Sequence, residues 1–104
     1  MGAHINVTSH LNWTALHVAS EKGYVNTIKN LLKVEGIEVN ARAIGGFTPL
    51  HMIVSSNQND AIALLASDER VDINAQSQEK LAPLHLAVLG GYEQAVSILL
   101  NKPK

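Results

Sequence analysis

The chain has 104 residues, 46% of them hydrophobic and only 4% aromatic, so we expect one domain with an aliphatic core of packed helices. Its formal net charge is −1 and its eight Lys and Arg residues are scattered, so no basic stripe favours nucleic acid as a partner. The absence of cysteine excludes disulfide scaffolds and thiolate metal sites. No apolar stretch approaches the roughly 20 residues of a membrane helix, and the opening MGAHINVTSH lacks a signal-peptide pattern. We therefore expect no membrane insertion and an intracellular location, in the cytoplasm, with the nucleus as the alternative.

Three segments of the chain repeat at a step of 34 residues. The first marker is an apolar run around a histidine: WTALHVA at 13–19, FTPLHMI at 47–53 and LAPLHLA at 81–87. The second marker has the same step and is an aliphatic residue followed by asparagine: Ile5-Asn6, Val39-Asn40 and Ile73-Asn74. An apolar pair recurs with a one-residue shift: Leu31-Leu32, Leu64-Leu65 and Leu99-Leu100. A fixed period of roughly 20–50 residues is typical of stacked-repeat architectures.

The second period illustrates what each repeat contains. Thr48 can cap free N–H groups and proline suits the first helical position, so we expect a helix at about Pro49–Ser56. Asn57, like the glycines one period before and after it, favours a left-handed turn that ends this helix. A second helix is predicted at about Asn59–Ser67, followed by a polar loop at about 68–80. Both helices are shorter than the roughly 12–15 residues at which isolated helices become marginal, so their stability must come from stacking.

These segments resemble the ankyrin repeat, whose hallmark is T-P-L-H-x-A with a period of about 33 residues. TALHVASEKGY, TPLHMIVSSNQ and APLHLAVLGGY are similar to its first helix and turn, and AIALLASDERVDINA to its second helix and return loop. The resemblance covers residues 5–101 and implies an all-α solenoid of stacked antiparallel helix pairs joined by hairpin-like loops. The single domain, 1–104, then divides into an N-terminal segment and loop (1–12), two full repeats (13–46 and 47–80) and a truncated third (81–104).

The resemblance also assigns structural roles to the motif residues. They cap the first helices or, in the case of the histidines, brace each helix start against the adjacent loop backbone: Thr14, His17, Thr48, Pro49, His51, Pro83 and His85. The third repeat departs from the pattern because Ala82 replaces the capping threonine, at an expected cost of about 1 kcal/mol. Asn12 and Lys80 replace the loop glycine found as Gly46, so if that turn needs a positive φ, either Lys80 is strained or its loop differs.

The two ends of the stack differ in polarity when equivalent positions are compared. Ser20, Thr27 and Asn30 are polar in the first repeat, which predicts a partly polar N-terminal outer face. The corresponding positions of the third repeat are apolar: Val88, Ala95 and Ile98. We therefore expect an adhesive outer face on the third repeat. This face belongs either to a chain cut from a longer array or to a surface that self-associates.

Catalytic and metal chemistry find little support in the pattern. Equivalent histidines on stacked helices lie about 8–10 Å apart, too far to share a zinc ion. Asp68, Glu69 and Asp72 cluster with Arg70 in a polar loop that we expect to be solvated, whereas catalytic carboxylates need burial. Neither glycine pair has the spacing of a phosphate-binding loop. We expect no enzyme, no catalytic residue, no metal and no cofactor.

The resemblance implies a protein-interaction module that presents loop tips and a concave helical face to a protein partner of unknown identity. The alternative is a structural role, as a slice of a larger ankyrin-repeat scaffold, channel or effector protein. Trp13, Phe47 and Leu81 precede the three helix starts and predict an apolar stripe with Ile44 and Leu11 beside it. This stripe is either an interface or a satellite of the core. The full set of candidate contact residues comprises Thr8, His10, Leu11, Trp13, Glu21, Lys22, Arg42, Ile44, Phe47, Ser55, Ser56, Gln76, Gln78, Glu79, Leu81 and Leu89.

Overall fold

A computed structural model describes residues 6, 8 and 11–101. It contains six α-helices of eight residues each: α1 (Ala15–Lys22), α2 (Val25–Leu32), α3 (Pro49–Ser56), α4 (Asn59–Ala66), α5 (Pro83–Gly90) and α6 (Glu93–Leu100). A 3₁₀ turn spans Ile44–Gly46, and no strand occurs within these residues. The predicted all-α fold is therefore confirmed. None of the helices described is long and apolar enough to cross a membrane.

The helix limits follow the local signals in the sequence. The hydroxyl oxygen of Thr48 accepts the His51 N–H at 3.4 Å, and α3 begins at the next residue, a proline. Asn57 ends α3 with φ at 56°, and glycines at the same register end α1 and α5 in the same left-handed conformation. The second helix of this repeat ends at Ala66, one residue earlier than predicted, because Ser67 forms its C-cap.

The helices stack in two rows, as the short helix lengths require. α1, α3 and α5 pack side by side in one row, and α2, α4 and α6 form the other. Each helix also packs against its partner within the repeat. The largest fully buried side chains lie between the rows: Leu16, Ile28, Leu50, Ile53, Ile62 and Leu65. The core is thus continuous across the repeats and almost wholly aliphatic.

The recurring asparagine ties neighbouring repeats together. The Asn6 amide nitrogen donates to the Gly36 carbonyl at 2.9 Å, and its amide oxygen accepts the Glu38 N–H at 2.9 Å. Asn40 makes the same two bonds one repeat later, at 2.9 and 2.8 Å. This pairing satisfies the backbone of the return loop and explains why the marker recurs with the period of the repeat.

The loop position held by Gly46 has a positive φ in every repeat. The angles are 62° at Asn12, 82° at Gly46 and 67° at Lys80. A Cβ atom at Gly46 would lie 2.8 Å from the backbone nitrogen of Gln78 in the next loop, so only glycine fits there. The expectation that Lys80 is strained is confirmed, since a lysine side chain disfavours this backbone region.

The prediction of a polar N-terminal outer face is right for two residues and wrong for the third. Thr27 and Asn30 are exposed, whereas Ser20 is completely buried. Val54 at the same register is also buried, but Val88 in the third repeat is 61% exposed. This position therefore faces the following helix pair, and Ser20 lies between the first and second repeats.

The matching prediction for the third repeat is correct only for Val88. Ala95 is fully buried and Ile98 is half-buried, because these positions face the preceding helix pair. The exposed apolar side chains at this end of the stack are instead Val88, Leu89 and Leu100, which are 61%, 76% and 64% exposed.

Candidate functional site

The repeated geometry of the helix starts centres on two buried histidines. The Thr14 N–H donates to Nδ1 of His17 at 3.1 Å, and the Thr48 N–H donates to Nδ1 of His51 at 3.1 Å. The opposite ring nitrogen, Nε2, lies 2.9 Å from the Phe47 carbonyl oxygen in the first case. In the second case Nε2 of His51 lies 2.7 Å from the Leu81 carbonyl oxygen. Each histidine thus braces its own helix start and the loop of the following repeat, as the resemblance implied.

This bonding pattern determines the protonation state of both rings. Because Nδ1 accepts an N–H, the neutral ring carries its proton on Nε2, which donates to the carbonyl. Burial lowers the pKa of His17, against the opposing effect of its hydrogen bond to Phe47. Burial also lowers the pKa of His51, and the positive charge of Arg42 acts in the same direction. The lowered pKa of each ring and the hydrogen bonds to both of its nitrogens favour the neutral form.

The third histidine has only half of this arrangement. The Ala82 N–H donates to Nδ1 of His85 at 2.9 Å, but no carbonyl within the described residues accepts from its Nε2. His85 is exposed, unlike the other two. Ala82 offers no side-chain oxygen to cap α5, as predicted from the missing threonine.

Ahead of the helix starts, the aromatic side chains line an apolar cavity of about 410 Å³. Five predicted contact residues meet there: Leu11, Trp13, Ile44, Phe47 and Ser55. Leu11 and Ile44 are 39% and 61% exposed, while both aromatic side chains are half-buried. The Phe47 ring packs edge-on against the His51 ring, with centroids 5.6 Å apart. The braced histidine therefore supports the aromatic residue that faces the cavity.

The predicted stripe is interrupted at its third member. Leu81 does not line this cavity but a second depression of about 360 Å³, together with Leu84 and Leu89. The first cavity is completed by His51 and by two residues that the sequence reasoning missed, Met52 and Leu86. Each of these two follows the motif histidine directly, and this one-residue offset was the signal in the sequence that could have identified them.

The loop residues Arg42, Gln76 and Gln78 make contacts between adjacent loops. One guanidinium nitrogen of Arg42 donates to the Gly46 carbonyl at 3.0 Å and to the Gln76 carbonyl at 2.6 Å. The Gln78 N–H donates to the Gly45 carbonyl at 2.9 Å. These bonds hold the loop tips in register, and the side chains of Gln76 and Gln78 remain exposed.

The remaining candidate residues do not join the cavity. Thr8, Glu21, Lys22 and Glu79 are exposed and line none of the cavities described above. The hydroxyl of Ser56 donates to the Ile53 carbonyl at 2.8 Å, an interaction internal to α3. His10 lies outside the described residues.

The acidic cluster of the return loop is engaged in a structural ion pair. Arg70 and Asp68 form a bridge of 2.7 Å, and the same guanidinium nitrogen donates to the Leu32 carbonyl at 2.8 Å. The exposed side chains of Glu69 and Asp72 lie nearby in sequence. Between residues 11 and 101, no group of three histidine or carboxylate side chains is arranged to hold a metal ion.

A family model of ankyrin repeats, in three copies, matches residues 1–77 and 35–104, which together span the chain. No curated protein sequence matches this chain. The match agrees with the stacked helix pairs, the threonine-capped helix starts and the histidine braces. On these grounds the chain is a member of the ankyrin repeat family.

Proposed function

We propose that the protein binds a protein partner through the apolar cavity in front of the first helices. Ankyrin repeats are generally protein–protein interaction modules. The observation that carries this specific proposal is the clustering of Leu11, Trp13, Ile44 and Phe47 around one open cavity. Aromatic and aliphatic side chains in such a setting are typical anchors of binding hot spots.

The proposed mechanism is rigid presentation of a preformed surface. The Phe47 ring packs against the His51 ring and also lies close to Gly45, where an added Cβ would be 2.8 Å from the phenyl group. The ring is therefore in contact with the protein at both places. Backbone hydrogen bonds join Ile44 to Leu11 and Gln78 to Gly45 between adjacent loops. A surface held in this way loses little conformational entropy when a partner binds.

Binding can be tested by affinity capture from the source cell with wild-type protein and two charged variants. Ile44→Glu places a carboxylate at the mouth of the cavity, where the native side chain is 61% exposed. Tyr24→Glu is the matched control, since Tyr24 is 55% exposed and lines none of the cavities described. We expect captured proteins to be lost with Ile44→Glu and kept with Tyr24→Glu, at equal thermal stability. Equal capture by both variants would refute the cavity as the docking site.

The same experiment has a spectroscopic readout in purified components. Trp13 is the single tryptophan of the chain and lines the cavity, so its emission reports on occupation of the site. A captured partner that docks there should shift or quench this emission in a saturable titration. The Ile44→Glu protein should show no saturable change from its own free emission.

A second candidate function is structural. The chain would then serve as a segment of a larger ankyrin-repeat scaffold, channel or effector protein. The observation that favours this role is the exposure of Val88, Leu89 and Leu100 on one end of the stack. An immunoblot of the source cell discriminates the two candidates, because a scaffold segment predicts a band much larger than the chain.

We propose further that the protein acts without catalysis or cofactor. Ankyrin-repeat domains are typically non-catalytic binding modules. The engagement of both nitrogens of His17 and His51 by protein groups supports this proposal. We place the protein inside the cell, in the cytoplasm with the nucleus as the alternative, and without nucleic acid as a partner. Fractionation of the source cell with an antibody against the chain tests the location.

A further inference from the structure

The end of the stack formed by α5 and α6 presents an apolar surface that the proposed function does not use. We call it the C-terminal face and define it by Leu81, Leu84, Val88, Leu89, Val96 and Leu100. Val88 lies at its centre, because it lines both depressions on this face, of about 360 and 270 Å³. Contiguous apolar surface of this kind on a folded protein marks an interaction site.

The same positions in the first two repeats show what this surface is built to contact. Leu16 and Leu50 correspond to Leu84 and are each 1% exposed, since the next helix pair covers them. Val54 corresponds to Val88 and is fully buried. The C-terminal face is therefore equivalent to two buried interfaces inside the molecule, and in both of them the face is covered by a helix pair of this chain.

The opposite end of the stack is a poor partner for this face. A second copy stacked head to tail would place exposed Thr27 and Asn30 against it, where the internal interfaces have apolar residues. Head-to-tail stacking is therefore disfavoured on polarity.

We propose that two copies of this chain associate through their C-terminal faces to form a symmetric dimer. An isologous contact pairs apolar surface with apolar surface and closes at two copies. Among the residues that line the two depressions, Glu93 is the only carboxylate, so like-charge repulsion across the contact is small. The face is only two eight-residue helices wide, which places the contact below the roughly 800 Å² per partner of a standard interface. The dimer is therefore weak and reversible.

Sedimentation velocity on the full chain tests the proposal. The wild-type protein should pass from one to two copies as its concentration rises from about 10 μM to about 1 mM, and should go no further. Val88→Lys, at a side chain 61% exposed, should remain a monomer throughout that range. Leu100→Lys, at 64% exposure, provides a second disruption of the same face. Val18→Lys is the matched control on α1 and should dimerise like the wild type.

Disulfide trapping tests the orientation, because the natural chain has no cysteine. Val88→Cys should cross-link to itself under mild oxidation, since a residue at the centre of a two-fold contact lies close to its own copy. Val18→Cys, at a position 43% exposed, should not cross-link above the rate of random collision. A wild-type protein that stays monomeric at about 1 mM overturns the proposal. Assembly beyond two copies, or loss of the dimer in Val18→Lys, overturns it equally. None of these outcomes bears on binding at the Trp13–Phe47 cavity.

Discussion

At the scale of single residues, Ser20 is destabilising because it places a polar group in an apolar environment. Its hydroxyl is completely buried between the first and second repeats and has no hydrogen-bond partner. Burial of an unpaired polar group costs about 1–3 kcal/mol. We therefore expect Ser20→Ala to raise the free energy of unfolding by about 1 kcal/mol in a urea titration. Ser97→Ala, at an exposed serine of α6, controls for the higher helix propensity of alanine. A Ser20→Ala protein no more stable than this control would contradict the prediction.

Lys80 also destabilises the folded protein, in this case through the conformation of its backbone. Its φ of 67° is unfavourable for a lysine by about 1 kcal/mol, whereas glycine adopts it freely. Lys80→Gly should therefore raise the unfolding free energy by about 1 kcal/mol, measured by urea denaturation. Asn12→Gly, at φ 62°, should give a smaller gain because asparagine tolerates this region. The explanation by backbone strain fails if the two substitutions have equal effects.

At the scale of the helix, the three first helices differ in one N-terminal hydrogen bond. Thr14 and Thr48 accept the N–H of the motif histidine, whereas Ala82 leaves that N–H of α5 without a side-chain acceptor. Ala82→Thr should add this cap and raise the unfolding free energy by about 1 kcal/mol. Thr48→Ala should lower it by a similar amount or more, since Thr48 is buried. Urea denaturation of both variants checks the pair, and a loss of stability in Ala82→Thr would speak against capping.

The helix scale also shows where sequence reasoning succeeds and where it stops. The 34-residue step predicts the capped starts at Thr14 and Thr48 and the left-handed ends, because these depend on neighbouring residues alone. It could not assign Ser20 to the correct side of α1. In a stack, one side of a helix packs against the preceding repeat and the opposite side against the following repeat. An alignment of the repeats does not say which of these two sides a given position faces. Met52 and Leu86 were missed for a related reason, since a cavity wall is built from elements distant in sequence.

Between helices, the histidine braces should make stability depend on pH. The pKa of His17 and His51 is lowered by burial in the folded protein, below the ordinary value of 6.5 that applies when the chain is unfolded. The unfolded chain therefore binds more protons below pH 6.5, and the stabilisation present above that pH is lost as the pH falls through the folded pKa.

A His17→Gln, His51→Gln double variant tests this linkage. It should be less stable than the wild type at neutral pH, because both braces to the following loop are altered. Between about pH 7 and 5, its unfolding free energy should change less with pH than that of the wild type. The measurement is a series of urea titrations at constant ionic strength. Parallel pH profiles for the two proteins would show that the braces do not carry the dependence.

For the molecule as a whole, stability is a property of neighbours rather than of single repeats. Within the described part of the chain no helix is longer than eight residues, and each row is held by contacts between consecutive repeats. In such a stack the total stability is approximately the sum of repeat and nearest-neighbour terms. The central pair, α3 and α4, has a neighbour on both sides, whereas α5 and α6 have one. Leu100 is exposed, and Nε2 of His85 has no carbonyl acceptor, because no helix pair within the described residues packs on the other side of α5 and α6.

This asymmetry predicts an order of opening along the stack. Amide hydrogen exchange should be slowest in α3 and α4 and faster in α5 and α6, because the end pair can detach without breaking the central interface. Mass spectrometry of the exchanged chain at about 5 μM keeps the protein dilute enough for monomer to dominate. At high concentration the C-terminal face should become covered, and exchange in α5 and α6 should slow, in the wild type but not in Val88→Lys. Uniform protection of all six helices at low concentration would show instead that the stack opens as one cooperative unit.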